Sequence, residues 1–472
     1  MLSETKQEIY VKDIVKVTQG KLMIGKEKTL CENFSRDTRQ IKEGDIYFGI
    51  KGEKINGSIF WKEALDKGAK GVILQDIVIS KEEMENYPNA FIILVKDVVL
   101  AMGQIANYKR DLYNIPVIAI TGSVGKTSTK DIVANVIAQK YKTLKTQGNY
   151  NNQIGLPLTI LQLKQEEALV VEMGMNHFGE IRYLTKIAKP NVVAITNIGT
   201  AHIGILGSRQ NILKAKLEIL EGMQEGGTVV INKDNDLLQE WYEKNKDKYT
   251  IVTYGIKQPS DYMATQIISK EDKSTYLLKT KNITNEEIMV PVGGDHFVQN
   301  SLCAIAIGEV FSISIDSMKE GIARFELTKK RMDISKIENN ITIINDCYNA
   351  NLDSMKAAIS YLGKLEGKRR IAVLGDMLEL GEFSEKLHRE VGMEVVRQQL
   401  DKVILVGKEA TYIGKQAIQE GMRKEDIVFC KTNEEAIKII NSMKQENDVL
   451  LLKASNGMHF DEIVHKISTT CA

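Results

Sequence analysis

The string Val117-Ile118-Ala119-Ile120-Thr121-Gly122-Ser123-Val124-Gly125-Lys126-Thr127 constrains this chain more than any other feature. Its apolar, partly β-branched opening predicts a buried strand of a parallel sheet. A glycine-bearing turn follows, and Lys-Thr then opens a helix over 127–140, with Ile132, Val133, Val136 and Ile137 on one face. That order suits phosphate. Glycines let backbone N–H groups turn inward around phosphate oxygens, and the helix N-terminus adds its partial positive charge. Lys126 is placed to reach the β- and γ-phosphates, and the Thr127 hydroxyl to ligate Mg²⁺. The spacing is GxxGKT, a shortened relative of the commoner GxxxxGKT, and it predicts a nucleoside triphosphate without naming the reaction. A guanine-specific switch would need NKxD. The nearest match, Asn232-Lys233-Asp234-Asn235-Asp236, has asparagine where the aspartate belongs and reads as a strand-to-helix cap.

The remaining sequence extends the α/β pattern. A chain of 472 residues predicts about three domains. Segment 1–113 alternates short apolar runs (46–50, 72–74, 91–95) with polar helices, as in a small α/β domain. Asn114-Ile115-Pro116 then punctuates the chain. Segment 114–325 adds strands at 169–171 and 192–195, an antiparallel excursion over 262–291 and a helix over 297–311. Segment 326–472 carries strands at 341–345, 371–374, 403–406, 427–429 and 449–452 with helices between, a doubly wound pattern. The expected fold is therefore α/β in three domains: a central P-loop parallel-sheet ATPase domain, a smaller one before it and a Rossmann-like one after it.

Charge and cysteine usage narrow the partners. Lysine and arginine number 63 against 62 aspartates and glutamates, a net charge of +1, without the basic excess of a nucleic-acid binder. No run approaches the roughly 20 apolar residues of a membrane span. The N-terminal MLSETKQEIYVKDIV has no basic region followed by an apolar core, so no signal peptide is expected. Cys31, Cys303, Cys347, Cys430 and Cys471 are scattered and form no CxxC pair, which indicates neither a disulfide framework nor a zinc site. A cytoplasmic protein is expected.

Three further residues have local readings. Glu172 ends the strand 169–171, where a carboxylate either is a solvated acid or points into the ligand crevice and completes an oxygen-rich Mg²⁺ site. His202 follows the strand 192–196 and the turn 197–201; it is either a packed or capping histidine or a ligand at the mouth of the next strand. Lys216 lies in a helix over 211–220, where a lysine is ordinarily solvated.

Taken together, the strings TGSVGKTS (121–128), TQGNYNNQIGLP (146–157), VEMGMN (171–176), NIGTAHIGILGS (197–208), AKLEIL (215–220), RMD (331–333), DCYNAN (346–351) and LGDMLELG (374–381) resemble the Mur ligase family. These are ATP-dependent amide-forming enzymes of peptidoglycan precursor synthesis. YNAN followed by LGDMLELG is most similar to the family's MurF type, which joins D-alanyl-D-alanine to UDP-N-acetylmuramoyl-tripeptide. The resemblance implies that the segments bind, in order, the UDP-sugar-peptide, ATP and the incoming dipeptide.

It also implies residue roles. Gly122, Ser123, Val124, Gly125, Lys126, Thr127 and Ser128 would hold ATP. Glu172 and His202 would hold magnesium with Thr127. Lys216 would be carbamylated by CO₂, turning an ammonium into a carboxylate-like ligand. His296 and Asn300 would lie by the adenine, Arg331 would span the phosphates, and Asp346 would take the ribose. Asp37, Thr38 and Arg39 resemble the nucleotide-sugar contact, and Asn151 and Asn152 the sugar-peptide loop. Tyr348, Asn349 and Asn351 would lie near the dipeptide. Phe297, Cys347 and Asn456 depart from the usual pattern, the last standing where an arginine is expected. A monomer working on small molecules, without nucleic acid, is implied. The rival readings are a family relative with another amino acceptor, such as a folylpolyglutamate synthase, and a P-loop regulator without ligase chemistry.

Overall fold

The computed structural model describes residues 8–327 and 330–469; Cys471 and the first seven residues of the N-terminal stretch lie outside them. Two compact units form. One comprises Met1–Thr121, Lys140–Val193 and Leu217–Thr228; the other comprises Gly122–Gln139, Ala194–Lys216 and Val229–Ala472.

In the first unit, a five-stranded sheet runs in the order Lys21–Ile24, Phe91–Leu94, Gly71–Leu74, Ile46–Phe48, Phe34–Ser35. All neighbours pair in parallel except Lys21–Ile24, which runs antiparallel to Phe91–Leu94. The runs expected at 46–50, 72–74 and 91–95 are its three central strands. Gly71 is required by packing, because a Cβ there would lie 2.4 Å from the Phe91 ring. Tyr47, Trp61, Val72, Leu74 and Ile92 form the core on one face. Helix Val98–Leu112 closes this region, N-capped by Asp97, whose side chain accepts from Leu100 N. Its last turn is fastened to the segments beyond it. Buried Lys109 donates to the Leu161 carbonyl (2.6 Å), and buried Arg110 to that of Ala188 (2.9 Å).

Three parallel strands follow, with Ala168–Glu172 between Val117–Thr121 and Thr143–Lys145. Leu169, Val170 and Val171 are fully buried, as their unbroken apolar run requires. The register pairs Glu172 with Ile120, which brings the acid beside the end of the strand that leads into the phosphate turn.

In the second unit, helix Lys126–Ile137 packs against helix Asp295–Val310, and the approach is close. A Cβ on Gly308 would lie 2.9 Å from Val136 Cγ1. The antiparallel excursion is the meander Tyr262–Ser269, Ser274–Lys279, Glu286–Val290. A six-stranded sheet occupies the C-terminal segment in the order Asp333–Ile337, Ile341–Asn345, Asp448–Lys453, Arg369–Gly375, Lys402–Val406, Ile427–Cys430. Asp333–Ile337 pairs antiparallel, and the other neighbours pair in parallel. Helices Leu352–Lys364, Ser384–Arg397, Thr411–Gln419 and Asn433–Met443 connect the parallel strands. Ile343, Val373, Ile404 and Leu450 lie in its core. This is the expected doubly wound pattern plus one edge strand.

Candidate active site

The phosphate turn is built as its sequence requires. Gly122 has φ +153° and Gly125 φ +80°, and a Cβ on Gly122 would lie 1.9 Å from Thr196 Oγ1. Helix Lys126–Ile137 starts directly after Gly125, so its N-terminus faces the turn. Lys126 Nζ folds back over the loop, donating to the carbonyl oxygens of Gly122 (2.8 Å) and Ser123 (3.4 Å). Thr127 is buried and Ser128 half-buried on the first helical turn.

A second loop braces the first. Asn197 Oδ1 accepts from the backbone N–H groups of Ser123 (3.2 Å) and Val124 (3.0 Å), and its Nδ2 donates to the Val124 carbonyl (3.1 Å). Thr196 Oγ1 donates to the same carbonyl (2.7 Å), and Ser123 Oγ accepts from Gly199 N (2.9 Å). Sequence reasoning used this NIGTAH string only for His202. The bracing pair Thr196-Asn197 was missed, although Asn197 opens the string and Thr196 immediately precedes it.

Asn300 lies against Gly125: a Cβ on that glycine would be 3.1 Å from Asn300 Oδ1, which also accepts from Thr129 Oγ1 (3.0 Å). The other end of the amide, Nδ2, is buried without a hydrogen-bond partner among the described residues. So is Arg331 Nε, whose guanidinium lies over the Tyr348 ring, 3.9 Å from its centroid. Buried donors left unsatisfied are costly, and two of them on residues expected to face a nucleotide fit a polyanionic ligand. His296 stacks at a tilt on Phe297, with ring centroids 4.2 Å apart. Burial pushes its pKa down to about 4, against the opposing pull of Asp346. The departure at Phe297 also has a physical reason, since its ring is buried against Phe325.

Asp346 ends the strand Ile341–Asn345 and is held by Lys453. That lysine is 2% exposed, and its Nζ donates to Asp346 Oδ2 (2.5 Å) and to the carbonyl of Asn349 (3.0 Å). Asn351 caps helix Leu352–Lys364 by accepting from Ser354 N (2.9 Å), and Asn349 Oδ1 accepts from Ala350 N (2.9 Å). Ser455 links two neighbouring loops, accepting from Leu378 N (2.9 Å) and donating to the Ala350 carbonyl (3.4 Å). Cys347 is a buried thiol that donates to the Leu452 carbonyl, and burial raises its pKa. This matches its reading as a small packed residue rather than a nucleophile. Asn456 is exposed and opens the short turn Asn456–Met458.

Within the same unit, His202, Lys126 and Lys216 act on one another electrostatically. Burial first, and then Lys126 and Lys216, lower the His202 pKa, while Glu379 opposes them. Lys216 is 2% exposed, and burial followed by Lys126 drives its pKa well below the ordinary lysine value. It is therefore not the solvated lysine that its helix position suggested. The helix itself is Arg209–Leu217 and tightens into a 3₁₀ turn at Glu218–Gly222, so 211–220 is not one continuous helix.

In the first unit, Glu172 is 1% exposed and accepts from Asn151 Nδ2 (2.7 Å), which brings two expected site residues together. It is not a solvated acid. Asn152 Oδ1 caps helix Gly155–Leu161, accepting from Ile154 N and Gly155 N. Asp37 caps the short turn Thr38–Gln40 and binds the Arg39 side chain through Nε (2.9 Å) and Nη2 (2.7 Å). Those bonds hold its pKa down to about 2.

The Thr127 hydroxyl in the second unit and the Glu172 carboxylate in the first are each oxygen donors of the kind a hard cation takes, whereas the His202 imidazole is a softer nitrogen donor. Lys216 fits only in modified form. As an ammonium it would repel a metal, whereas its neutral amine is the form that adds CO₂. Among the described residues, no three His, Cys, Asp or Glu side chains cluster as a metal site.

The chain is similar to known proteins along most of its length. Residues 33–110 match the family model described as the Mur ligase family catalytic domain, 120–308 the Mur ligase middle domain and 330–456 the Mur ligase glutamate ligase domain. A UDP-N-acetylmuramoyl-tripeptide–D-alanyl-D-alanine ligase of Bacillus subtilis (strain 168) is 35% identical over 457 residues, covering 96% of this chain and 97% of the relative. The chain belongs to the Mur ligase family. A crystal structure of MurF from Acinetobacter baumannii superposes with a TM-score of 0.88 at 28% identity, covering 98% of this chain and 99% of that one. MurF ligase of Thermotoga maritima, solved in complex with ADP, gives a TM-score of 0.80 at 26% identity, covering 93% and 97%. This Mur ligase thus has the three-domain α/β fold of its relatives.

Proposed function

We propose that this Mur ligase joins D-alanyl-D-alanine to UDP-N-acetylmuramoyl-tripeptide at the expense of ATP, a late step in making the peptidoglycan precursor. The full-length match to a ligase of that name carries the reading. The site described above supplies the chemistry.

Segment 1–113, with Asp37, Thr38 and Arg39, takes the nucleotide sugar, and Asn151 and Asn152 hold its peptide. Segment 114–325 takes ATP on 122–128, with His296 and Asn300 by the base. Segment 326–472 takes the dipeptide near Tyr348, Asn349 and Asn351, and lends Arg331 to the phosphates and Asp346 to the ribose. Lys126, now on the turn's carbonyls, swings to the phosphates when they are bound.

The tripeptide's terminal carboxylate oxygen attacks the γ-phosphorus. A P–O bond forms, the β–γ bridging bond breaks, and ADP leaves an acyl phosphate. The neutral amine of the dipeptide then attacks the acyl carbon, and the tetrahedral intermediate expels phosphate and loses a proton. No protein nucleophile is required. Catalysis rests on positioning and on Lys126 and Arg331 neutralising phosphate charge. Thr127, Glu172, His202 and carbamylated Lys216 would hold Mg²⁺, which when bound shields the phosphate oxygens from the incoming carboxylate. In the modification, the neutral Lys216 nitrogen bonds to the carbon of CO₂ and releases a proton.

No helix among the described residues is long and apolar enough to cross a membrane. We place the enzyme in the cytoplasm as a monomer. The test is phosphate release from ATP with the UDP-linked tripeptide and a panel of acceptor amines. Release that requires D-alanyl-D-alanine is the expected result, whereas release supported by another amine, or by none, overturns the reading.

A further inference from the structure

His202 Nδ1 lies 3.0 Å from Glu379 Oε2, and Glu379 comes from the C-terminal segment, in the string LGDMLELG. An ionised carboxylate can only accept, so this bond assigns the ring proton to Nδ1.

The backbone on both sides is shaped for the contact. His202 and Glu379 both sit in the left-handed region, each with φ +64°. Non-glycine residues are held there at a cost and concentrate at functional sites. Gly204 N donates to the Glu379 carbonyl (3.2 Å). A Cβ on Gly204 would lie 2.5 Å from that oxygen and 2.6 Å from Gly381 N, so only glycine lets the two loops meet. Two residues before His202, the same loop is gripped again. Asp353 Oδ2 accepts from Thr200 N (2.8 Å) and Thr200 Oγ1 (3.2 Å).

We propose that Glu379 is a positioning residue for His202, holding Nδ1–H so that Nε2 is the ring atom presented to bound magnesium. A histidine metal ligand commonly donates its other N–H to a carboxylate, which fixes both tautomer and ring orientation. Here the carboxylate comes from the C-terminal segment. Metal binding on the His202 loop is thereby coupled to the docking of the segment that brings the acceptor. The inference rests on His202 being a magnesium ligand, as proposed above.

The test measures ADP binding calorimetrically as a function of Mg²⁺ for wild type, Glu379→Ala, Glu379→Gln and Gly204→Ala. It is paired with ¹⁵N-histidine NMR of the His202 ring, assigned by loss of its signal in His202→Asn. Wild type should carry its proton on Nδ1. Glu379→Ala should raise the Mg²⁺ concentration for half-maximal binding about tenfold and mix the tautomers, with ADP affinity in EDTA unchanged. Glu379→Gln retains an acceptor oxygen and should fall between the two. Gly204→Ala, which keeps the carboxylate but props the loops apart, should behave like Glu379→Ala. An unchanged Mg²⁺ requirement, or an equal loss of ADP affinity in EDTA, overturns the proposal. The ring readout does not depend on turnover. A wild-type protein with the Nδ1 tautomer but no D-alanyl-D-alanine-dependent reaction would sink the ligase reading alone.

Discussion

Replacing Lys453 by methionine should loosen the C-terminal sheet and the acceptor loop together. Lys453 ends the strand Asp448–Lys453, and its ammonium is buried at 2% exposure against an Asp346 side chain that is 14% exposed. Methionine keeps the stem's apolar packing but removes every bond made by Nζ. It leaves the Asp346 carboxylate without its cation and the Asn349 carbonyl without its donor (3.0 Å). Removing one partner of a buried pair costs about 3–5 kcal/mol, because the remaining charge stays desolvated. Asp346→Asn keeps an acceptor oxygen for Lys453 and should cost about 1.5–3 kcal/mol, the range for one hydrogen bond to a charged group. The double variant buries no lone charge, so its cost should be smaller than the sum by at least 1 kcal/mol.

A three-domain chain need not unfold in one step, and both tryptophans, Trp61 and Trp241, lie outside the C-terminal sheet. Hydrogen exchange of peptides covering 341–345 and 448–453 is therefore the right assay, since it reads local opening directly. The KM for D-alanyl-D-alanine should rise in Lys453→Met, because Lys453 anchors the loop that carries Asn349. An opening free energy within about 1 kcal/mol of wild type, or additive single and double variants, would refute the reasoning.

Three further outcomes are expected. Lys126→Met should lower kcat by about 10²–10³, the usual cost of losing one charge-stabilising donor, with an unchanged circular dichroism spectrum; a loss below tenfold contradicts its phosphate role. Gly122→Ala places a Cβ 1.9 Å from Thr196 Oγ1 at φ +153° and should lower stability by about 2–4 kcal/mol and weaken ATP binding, as read by thermal melts and calorimetry; a neutral substitution would mean the turn tolerates a side chain. Lys109, whose pKa burial pushes down to about 8, binds fewer protons folded than unfolded between that value and the ordinary 10.5. Wild-type stability should therefore rise relative to Lys109→Met as pH climbs through this window, by up to about 3 kcal/mol, and a falling difference would reverse the assigned cause.

The parallel strands were legible because their apolar runs are buried on both faces: Val117–Thr121 and Ile341–Asn345 appear where the runs predict them. Strands Lys21–Ile24 and Asp333–Ile337 were not, because both lie at sheet edges and are half-exposed, with little apolar signal. The phosphate turn could be read from its residues because glycine geometry and helix onset are local. Lys216 could not, since a helical lysine carries no local sign that it is buried. Glu379, Asp353 and Lys453 were missed for the same reason: each is an ordinary charged residue whose partner lies 100 or more positions away. The family resemblance supplied roles for His202 and Asp346, but not the residues that hold them in place.

The most direct test of the account follows the oxygen of the activated carboxylate. UDP-N-acetylmuramoyl-tripeptide labelled with ¹⁸O in its terminal carboxyl is turned over with ATP, Mg²⁺ and D-alanyl-D-alanine, and the released phosphate is analysed by mass spectrometry. Activation as an acyl phosphate predicts one ¹⁸O carried into phosphate for each amide formed, with no phosphate released when the dipeptide is omitted. Unlabelled phosphate alongside amide product, or labelled phosphate with no requirement for the dipeptide, would contradict it.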